Sequence, residues 1–233
     1  MEVPYILYAQ VPGDDLSACT KRRIAVGGPE KKIWFFSMQN TKTVVDVRHP
    51  VSRISCDGSG GLMFTGSEGT FHCEKPGKTP CIRVGEPAID IVTGCHDSAW
   101  LLFEDQIIQL SRTTGSTLST IPTTKENLGI TFKSCGELYG WSKHQLFEYK
   151  KGGSTAKFSP FLEPIQGVSF NYSDTLYIAH DAWLRVYREE EPVREIRLQS
   201  GITAIHVGPT KNPSFENLYF RERGMLTYTS FSR

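Results

Sequence analysis

Apolar and polar residues alternate along this chain in short runs, and the runs recur with a period. Five alternating triplets, Ile54-Ser55-Cys56, Ile89-Asp90-Ile91, Ile130-Thr131-Phe132, Val168-Ser169-Phe170 and Ile205-His206-Val207, begin 35, 41, 38 and 37 residues apart. Alternation at a period of two places one face of an extended segment in a core and the other in a polar setting. After each triplet, further apolar runs follow, separated by turn residues. The run from Leu128 to Phe132 leads to Leu138-Tyr139-Gly140-Trp141, then to Leu146-Phe147-Glu148-Tyr149, then to Ala156-Lys157-Phe158. The next copy passes from Val168-Ser169-Phe170 to Leu176 to Ala179, Leu184 to Tyr187 and Val193 to Leu198. Nothing sustains a 3.6-residue apolar period for three turns, whereas 21 Gly and 13 Pro punctuate the chain as turns do.

Several strands in each unit, at a period of about 35 to 41 residues, predict an all-β propeller. The units number six, and the last lacks its fourth strand. The chain divides as a single domain, 1–233, with blades at about 1–48, 49–85, 86–122, 123–160, 161–199 and 200–233. In the first blade, Tyr5 to Gln10 is the opening strand, Val11 to Arg22 a long loop, and Arg23 to Val26, Ile33 to Ser37 and Thr43 to Val47 complete the sheet. In the last, Ile202 to Val207, Leu218 to Phe220 and Leu226 to Tyr228 make three strands. Only Met1 to Pro4 precede the first strand, too few to return and supply a fourth. A β-sandwich is the competing architecture, but its strands need not recur in a four-strand unit.

Arg23-Ile24-Ala25-Val26-Gly27-Gly28, followed by Lys32-Ile33-Trp34-Phe35-Phe36-Ser37, resembles the second and third strands of a WD-repeat blade. In that family the third strand usually ends in Trp-Asp. The matching pairs here are Phe36-Ser37, Leu110-Ser111, Tyr149-Lys150 and Tyr187-Arg188, all without the Asp, and the family's Gly-His pair is represented only by His49-Pro50. The resemblance implies a divergent WD-repeat-like propeller whose blades are knit by packing in place of the family's hydrogen-bond network.

Charge changes the picture little. Lys and Arg total 26 against 25 Asp and Glu, so no excess field favours nucleic acid or an acidic membrane. With no signal peptide and no apolar run long enough for a membrane span, an intracellular protein, cytoplasmic or nuclear, is expected. Of the six cysteines, Cys19, Cys56, Cys73, Cys81, Cys95 and Cys135, none forms a C-x-x-C or tight Cys/His spacing, and free, mostly buried thiols are expected. His72 beside Cys73 and His96 beside Cys95 sit at adjacent positions that point to opposite faces of a strand, which disfavours zinc. Trp34, Trp100, Trp141 and Trp183 fall in or beside second or third strands, where inter-blade packing asks for large side chains.

Catalytic motifs are missing. Acidic residues stand in turns: Asp14-Asp15, Asp57, Glu104-Asp105 and Glu189-Glu190-Glu191. Gly58-Ser59-Gly60-Gly61 opens no helix and is a hairpin turn, and Glu216 to Phe220 resembles the start of an engineered protease tag but continues with Arg221, as native strand would. The expectation is therefore a non-enzymatic interaction scaffold, a subunit of a larger complex, with no cofactor and no metal. Leu226, Thr227, Tyr228 and Thr229 would form an open edge to which a partner protein donates a strand, as in the open propellers of vesicle-coat and nuclear-pore scaffolds that this architecture resembles. Two other expectations stand beside it. One is a propeller hydrolase of lactonase or glycosidase type, with Asp57, His96-Asp97 and Asp174 at the central channel. The other is the N-terminal part of a larger protein that completes the ring downstream.

Overall fold

The computed structural model describes residues 6–10, 15–19, 23–37, 42–57, 59–94, 97–123, 126–134, 137–150, 153–171, 173–180, 183–197, 202–208, 215–222 and 225–232. All regular structure among them is β. One strand, β1 (Ile6–Gln10), stands apart from its sequence neighbours. The first sheet consists of β2 (Asp15–Cys19), β3 (Arg23–Gly27), β4 (Lys32–Ser37) and β5 (Lys42–Asp46). The second follows with β6 (Arg53–Cys56), β7 (Leu62–Gly66), β8 (Gly69–Cys73) and β9 (Ile82–Gly85), and the third with β10 (Asp90–Thr93), β11 (Ser98–Leu102), β12 (Gln106–Ser111) and β13 (Thr117–Pro122). The fourth contains β14 (Gly129–Ser134), β15 (Glu137–Trp141), β16 (Leu146–Lys150) and β17 (Gly153–Ala156). The fifth contains β18 (Ile165–Phe170), β19 (Leu176–His180), β20 (Trp183–Arg188) and β21 (Glu191–Arg197). The last is built from β22 (Ile202–Gly208), β23 (Phe215–Glu222), β24 (Met225–Ser232) and, at its outer edge, β1.

Each sheet is an antiparallel meander, and the first strands touch one another in a closed cycle: β2 against β6, β6 against β10, β10 against β14, β14 against β18, β18 against β22, and β22 against β2. This is a β-propeller. The core is distributed between neighbouring sheets. Ala25, Phe35, Phe64 and Phe71 fill the first of these wedges, Met63, Ile91 and Leu101 the second, Leu102, Ile121 and Leu138 the third. Leu146, Ile165 and Ile178 follow, then Leu184, Ile196 and Leu218, and finally Leu16, Trp34, Tyr219 and Leu226 between the last sheet and the first. Trp34, Trp100 and Trp141 pack in these wedges, whereas Trp183 is 38% exposed.

Two expectations are corrected here. The last sheet does not lack its fourth strand, because the chain's first strand supplies it. Ile6 pairs with Tyr228, Leu7 with Thr227, Ala9 with Leu226 and Gln10 with Met225, with one bulge between Leu7 and Ala9. The edge assigned to a partner at Leu226, Thr227, Tyr228 and Thr229 is thus the seam of the ring, occupied at its first three positions by the chain itself. The physical reason lies in the segment read as a loop. Asp15–Cys19 is the true opening strand of the first sheet, with Leu16 and Ser17 buried, and this frees Ile6–Gln10 to cross to the far end of the chain.

The thiols are the second correction. Cys19 bonds Cys56 across the first two sheets, and Cys73 bonds Cys81 within the second, with Cα atoms 5.0 and 4.3 Å apart. Cys95 and Cys135 lie outside the described residues.

Removing residues 1–10 should destabilise the ring by roughly 3 kcal/mol or more, since a four-residue ladder and its edge protection are lost. A thermal melt and size-exclusion profile of the truncated chain, with and without the free 1–10 peptide, check this. Reduction, or paired Cys19→Ala and Cys56→Ala substitution, should cost about 2–4 kcal/mol by releasing the constraint on the unfolded chain, read from denaturant melts with and without reductant.

Candidate functional site

A first strand in a ring of radial sheets has its second strand on one side and the axis on the other. Every alternate N–H on the axial side faces no strand and must find another acceptor. Side chains of the preceding first strand supply them. Asp15 Oδ2 accepts from Ile54 N at 2.8 Å, Ser17 Oγ from Cys56 N at 3.0 Å, and Ser55 Oγ from Thr93 N at 2.9 Å. Asp90 Oδ2 accepts from Ile130 N at 2.8 Å and Ser169 Oγ from Val207 N at 3.1 Å. The partners are 39, 39, 38, 40 and 38 residues apart, so the sequence period reappears as a physical bond between successive blades.

At one mouth of the axis these side chains include charges. Asp15, Arg53 and Asp90 begin β2, β6 and β10, at equivalent positions of three successive blades. Arg53 Nε lies 3.8 Å from Asp90 Oδ1. The Asp90 side chain is only 11% exposed, that of Arg53 39%. Burial, with the Asp15 charge adding to it, pushes the Asp90 carboxyl up to about 7, against the opposing pull of Arg53 and of the N–H groups of Ile130 and Ile91. The equivalent position of the fourth sheet is Gly129, where any Cβ would collide with the Trp141 indole, so the charged arc ends there. On β22, burial pushes the His206 imidazole down to about 4.

Asp57, Asp97 and Asp174, named from the sequence for a hydrolase site, lie on the opposite face, where the turns after first and third strands emerge, whereas Asp15, also named there, is at the mouth and Glu104-Asp105 form the turn between β11 and β12. Asp57 and Asp97 are brought together by Arg112, which reaches Asp57 Oδ2 at 2.6 Å and Asp97 Oδ1 at 3.9 Å. They join a groove of about 540 Å³ between the second and third sheets, with Ser59, His72 and Thr113 on its wall. Asp57 Oδ1 accepts from Ser59 N, Ser59 Oγ and Gly61 N, at 2.8 to 2.9 Å. Burial alone would raise this carboxyl. The approach of His72 Nε2 to 3.8 Å, hydrogen bonds from Ser59 and the Arg112 charge override it and hold the group well below the usual carboxylate range. Asp174 lies apart, in a cavity between the fourth and fifth sheets. Asp14 and His96 lie outside the described residues. The set proposed from the sequence therefore does not converge. Asp57 with Arg112 is a clamp between blades, its charges already satisfied.

Sequence reasoning passed over Arg53 and Asp90 as site residues, although a signal existed. Asp15, Arg53 and Asp90 stand 38 and 37 residues apart, which is the repeat itself. Among the described residues no three His, Cys, Asp or Glu side chains gather as metal ligands.

No protein-family model matches the chain, and no curated protein sequence matches it. Kinship to WD repeats therefore rests on the resemblance of single strands. Solved structures do share the fold. A gluconolactonase from Xanthomonas campestris, described as important in glucose secondary metabolic pathways, aligns at a TM-score of 0.76 and 10% identity over 97% of this chain and 89% of its own. A presumed gluconolactonase aligns at 0.74 and 10% identity over 99% and 93%. The β-propeller domain of Cps50 (Swd1) from Myceliophteria thermophila aligns at 0.65 and 11% identity over 94% and 83%. Likeness at this identity is one of fold. It nonetheless overturns the expectation of a chain with no reaction of its own. Two of these three propellers carry an enzyme's name, and function on such a fold lives in the site and leaves no necessary motif in the sequence.

Replacing Arg112 by Ala should cost about 3–5 kcal/mol, because it leaves the Asp57 carboxylate buried without its countercharge, a loss measurable by urea melts at pH 7. The Asp57 contribution is present above the unfolded carboxylate value near 3.8 and is lost as pH falls below it, so the difference between wild type and Arg112→Ala should narrow in acid.

Proposed function

We propose that the chain is a propeller hydrolase whose site is the axial mouth at Asp15, Arg53 and Asp90, acting on a small ester or lactone. The observation that carries this reading is a nearly buried carboxyl held at about 7 beside a partly exposed guanidinium. A base is most effective when its pKa lies near the working pH, and perturbed groups at a ring axis are candidates for function. The fold-level likeness to gluconolactonases supports the substrate class by analogy.

The chemistry follows from the groups. Ionised Asp90 takes a proton from a water molecule as its oxygen bonds to the ester carbonyl carbon. Arg53, 3.8 Å from the same carboxylate, lies where negative charge on the carbonyl oxygen can be met by its N–H donors. Collapse of the tetrahedral intermediate breaks the carbon–oxygen bond to the leaving alkoxide, which recovers the proton from Asp90. The backbone donors Ile91 and Ile130 hold both oxygens of Asp90 in place. Asp15, tied to Ile54 N, keeps a negative charge nearby and thereby keeps the Asp90 proton affinity high.

Hydrolysis of a panel of lactones and aryl esters should rise with pH through a midpoint near 7, the value of the base. Asp90→Asn should lower the rate by about 10² to 10⁴ while leaving the circular dichroism spectrum unchanged. Turnover no faster than in buffer, or equal in the variant, would sink the proposal.

Stability provides an independent readout. Asp90, raised in the fold, stabilises below its unfolded value near 3.8, and the contribution is lost as pH climbs to about 7. His206, lowered in the fold, acts oppositely and loses stability as pH falls from 6.5 to about 4. Between about 4 and 6.5 the two proton counts cancel. Asp90→Asn should therefore lose more stability than wild type on acidification across that window, as read from melts at pH 6.5 and 4.5.

A further inference from the structure

Aromatic rings and carboxylates meet in a cavity of about 180 Å³ between the fourth and fifth sheets, on the face away from the axial mouth. Its walls are two tilted aromatic pairs. The rings of Tyr139 and Phe170 lie 4.9 Å apart, and those of Phe158 and Tyr187 5.0 Å apart. Three carboxylate residues, Asp174, Glu189 and Glu190, stand at its rim. All three hold left-handed backbone, with φ of 58°, 50° and 69°, and they are three of the five such non-glycine residues described. The turn between β20 and β21 thus puts Glu-Glu where Asn-Gly would be the relaxed choice. Strain of this kind is tolerated where the surroundings hold it, and it gathers at ligand sites.

Two lysines also line the cavity, and both are engaged. Lys157 spans Glu190 at 2.6 Å and Glu148 at 3.3 Å, while Lys133 pairs with Glu137 at 3.1 Å. Glu189 has no ion pair among the described residues. Counted together, the carboxylates exceed the ammonium groups, so the cavity offers a cation-attracting field over carbon-rich walls.

We propose that this cavity binds a small quaternary or methylated ammonium group. A cation over aromatic faces is attracted by the ring quadrupole. A quaternary ammonium carries no N–H and needs no hydrogen-bond acceptor, and each methyl group on a lesser-substituted ammonium removes one donor, so aromatic carbon can enclose such a cation at a lower penalty than a bare ammonium would incur. The rim carboxylates add long-range attraction. The site is independent of the hydrolytic reading, since it draws on other blades and the other face.

Choline and its neutral carbon isostere, 3,3-dimethylbutan-1-ol, separate charge from shape. Titrated into the full chain and followed by isothermal calorimetry and aromatic NMR shifts, choline should saturate and the isostere should bind at least about tenfold more weakly. Glu189→Gln and Asp174→Asn, both at exposed turn positions, should each weaken choline about three- to tenfold, with the melting temperature as a check on folding. Asp90→Asn should leave choline binding unchanged. Equal binding of the isostere, no saturation by choline at 10 mM in a folded sample, preference for benzoate drawn by the two lysines, or indifference to both rim substitutions would each overturn the proposal.

Discussion

A ring of sheets holds only if its last member is tied to its first. Here the tie is the ladder between β1 and β24, in which the beginning of the chain becomes the outer strand of the final sheet. Packing reinforces it, since Leu16, Trp34 and Tyr219 join the two sheets on either side of the seam. Without this closure, a sheet edge and an apolar wedge would both face water. Each is a form of exposure that folded proteins avoid.

Closure creates a second requirement at the axis. Inner strands brought together in a ring present N–H groups that no strand can pair, and side chains of the preceding blade must accept from them. Serine does this neutrally at Ser17, Ser55 and Ser169, and aspartate does it with charge at Asp15 and Asp90. An aspartate used for a structural bond in a nearly dry place has its proton affinity raised by the same burial that makes the bond worthwhile. The candidate chemistry of the mouth thus arises from the way the ring satisfies its backbone. The opposite face shows the other outcome, where the Arg112 guanidinium meets the Asp57 carboxylate at 2.6 Å and yields a clamp.

Much of the architecture could be read from the chain because β structure with a fixed repeat leaves a local mark. All five alternating triplets fall on first strands, with Ile89 one residue ahead of β10, and the turn at Asp57 to Gly61 and the Glu189-Glu190 turn lie where apolar runs break. Less legible was any element whose identity depends on a distant partner. Ile6–Gln10 has the pattern of a strand whichever sheet it joins, and Asp15–Cys19 shows too few strong apolar residues to be told from a loop. Cysteine pairing failed for the same reason, since Cys19 and Cys56 are neighbours only once two blades lie side by side.

Alternation and period, set by side-chain geometry within a few residues, determined the all-β repeat, the positions of most strands and the composition of the wedges. What the tertiary structure alone decided was long-range: that β1 seals the ring, that Asp15, Arg53 and Asp90 share one mouth while Asp57 and Asp174 do not, and that aromatic rings from two sheets meet in the wall of one cavity. Proximity between blades depends on how sheets twist and pack around an axis, and a charge acquires its chemistry from the burial and neighbours that this packing imposes.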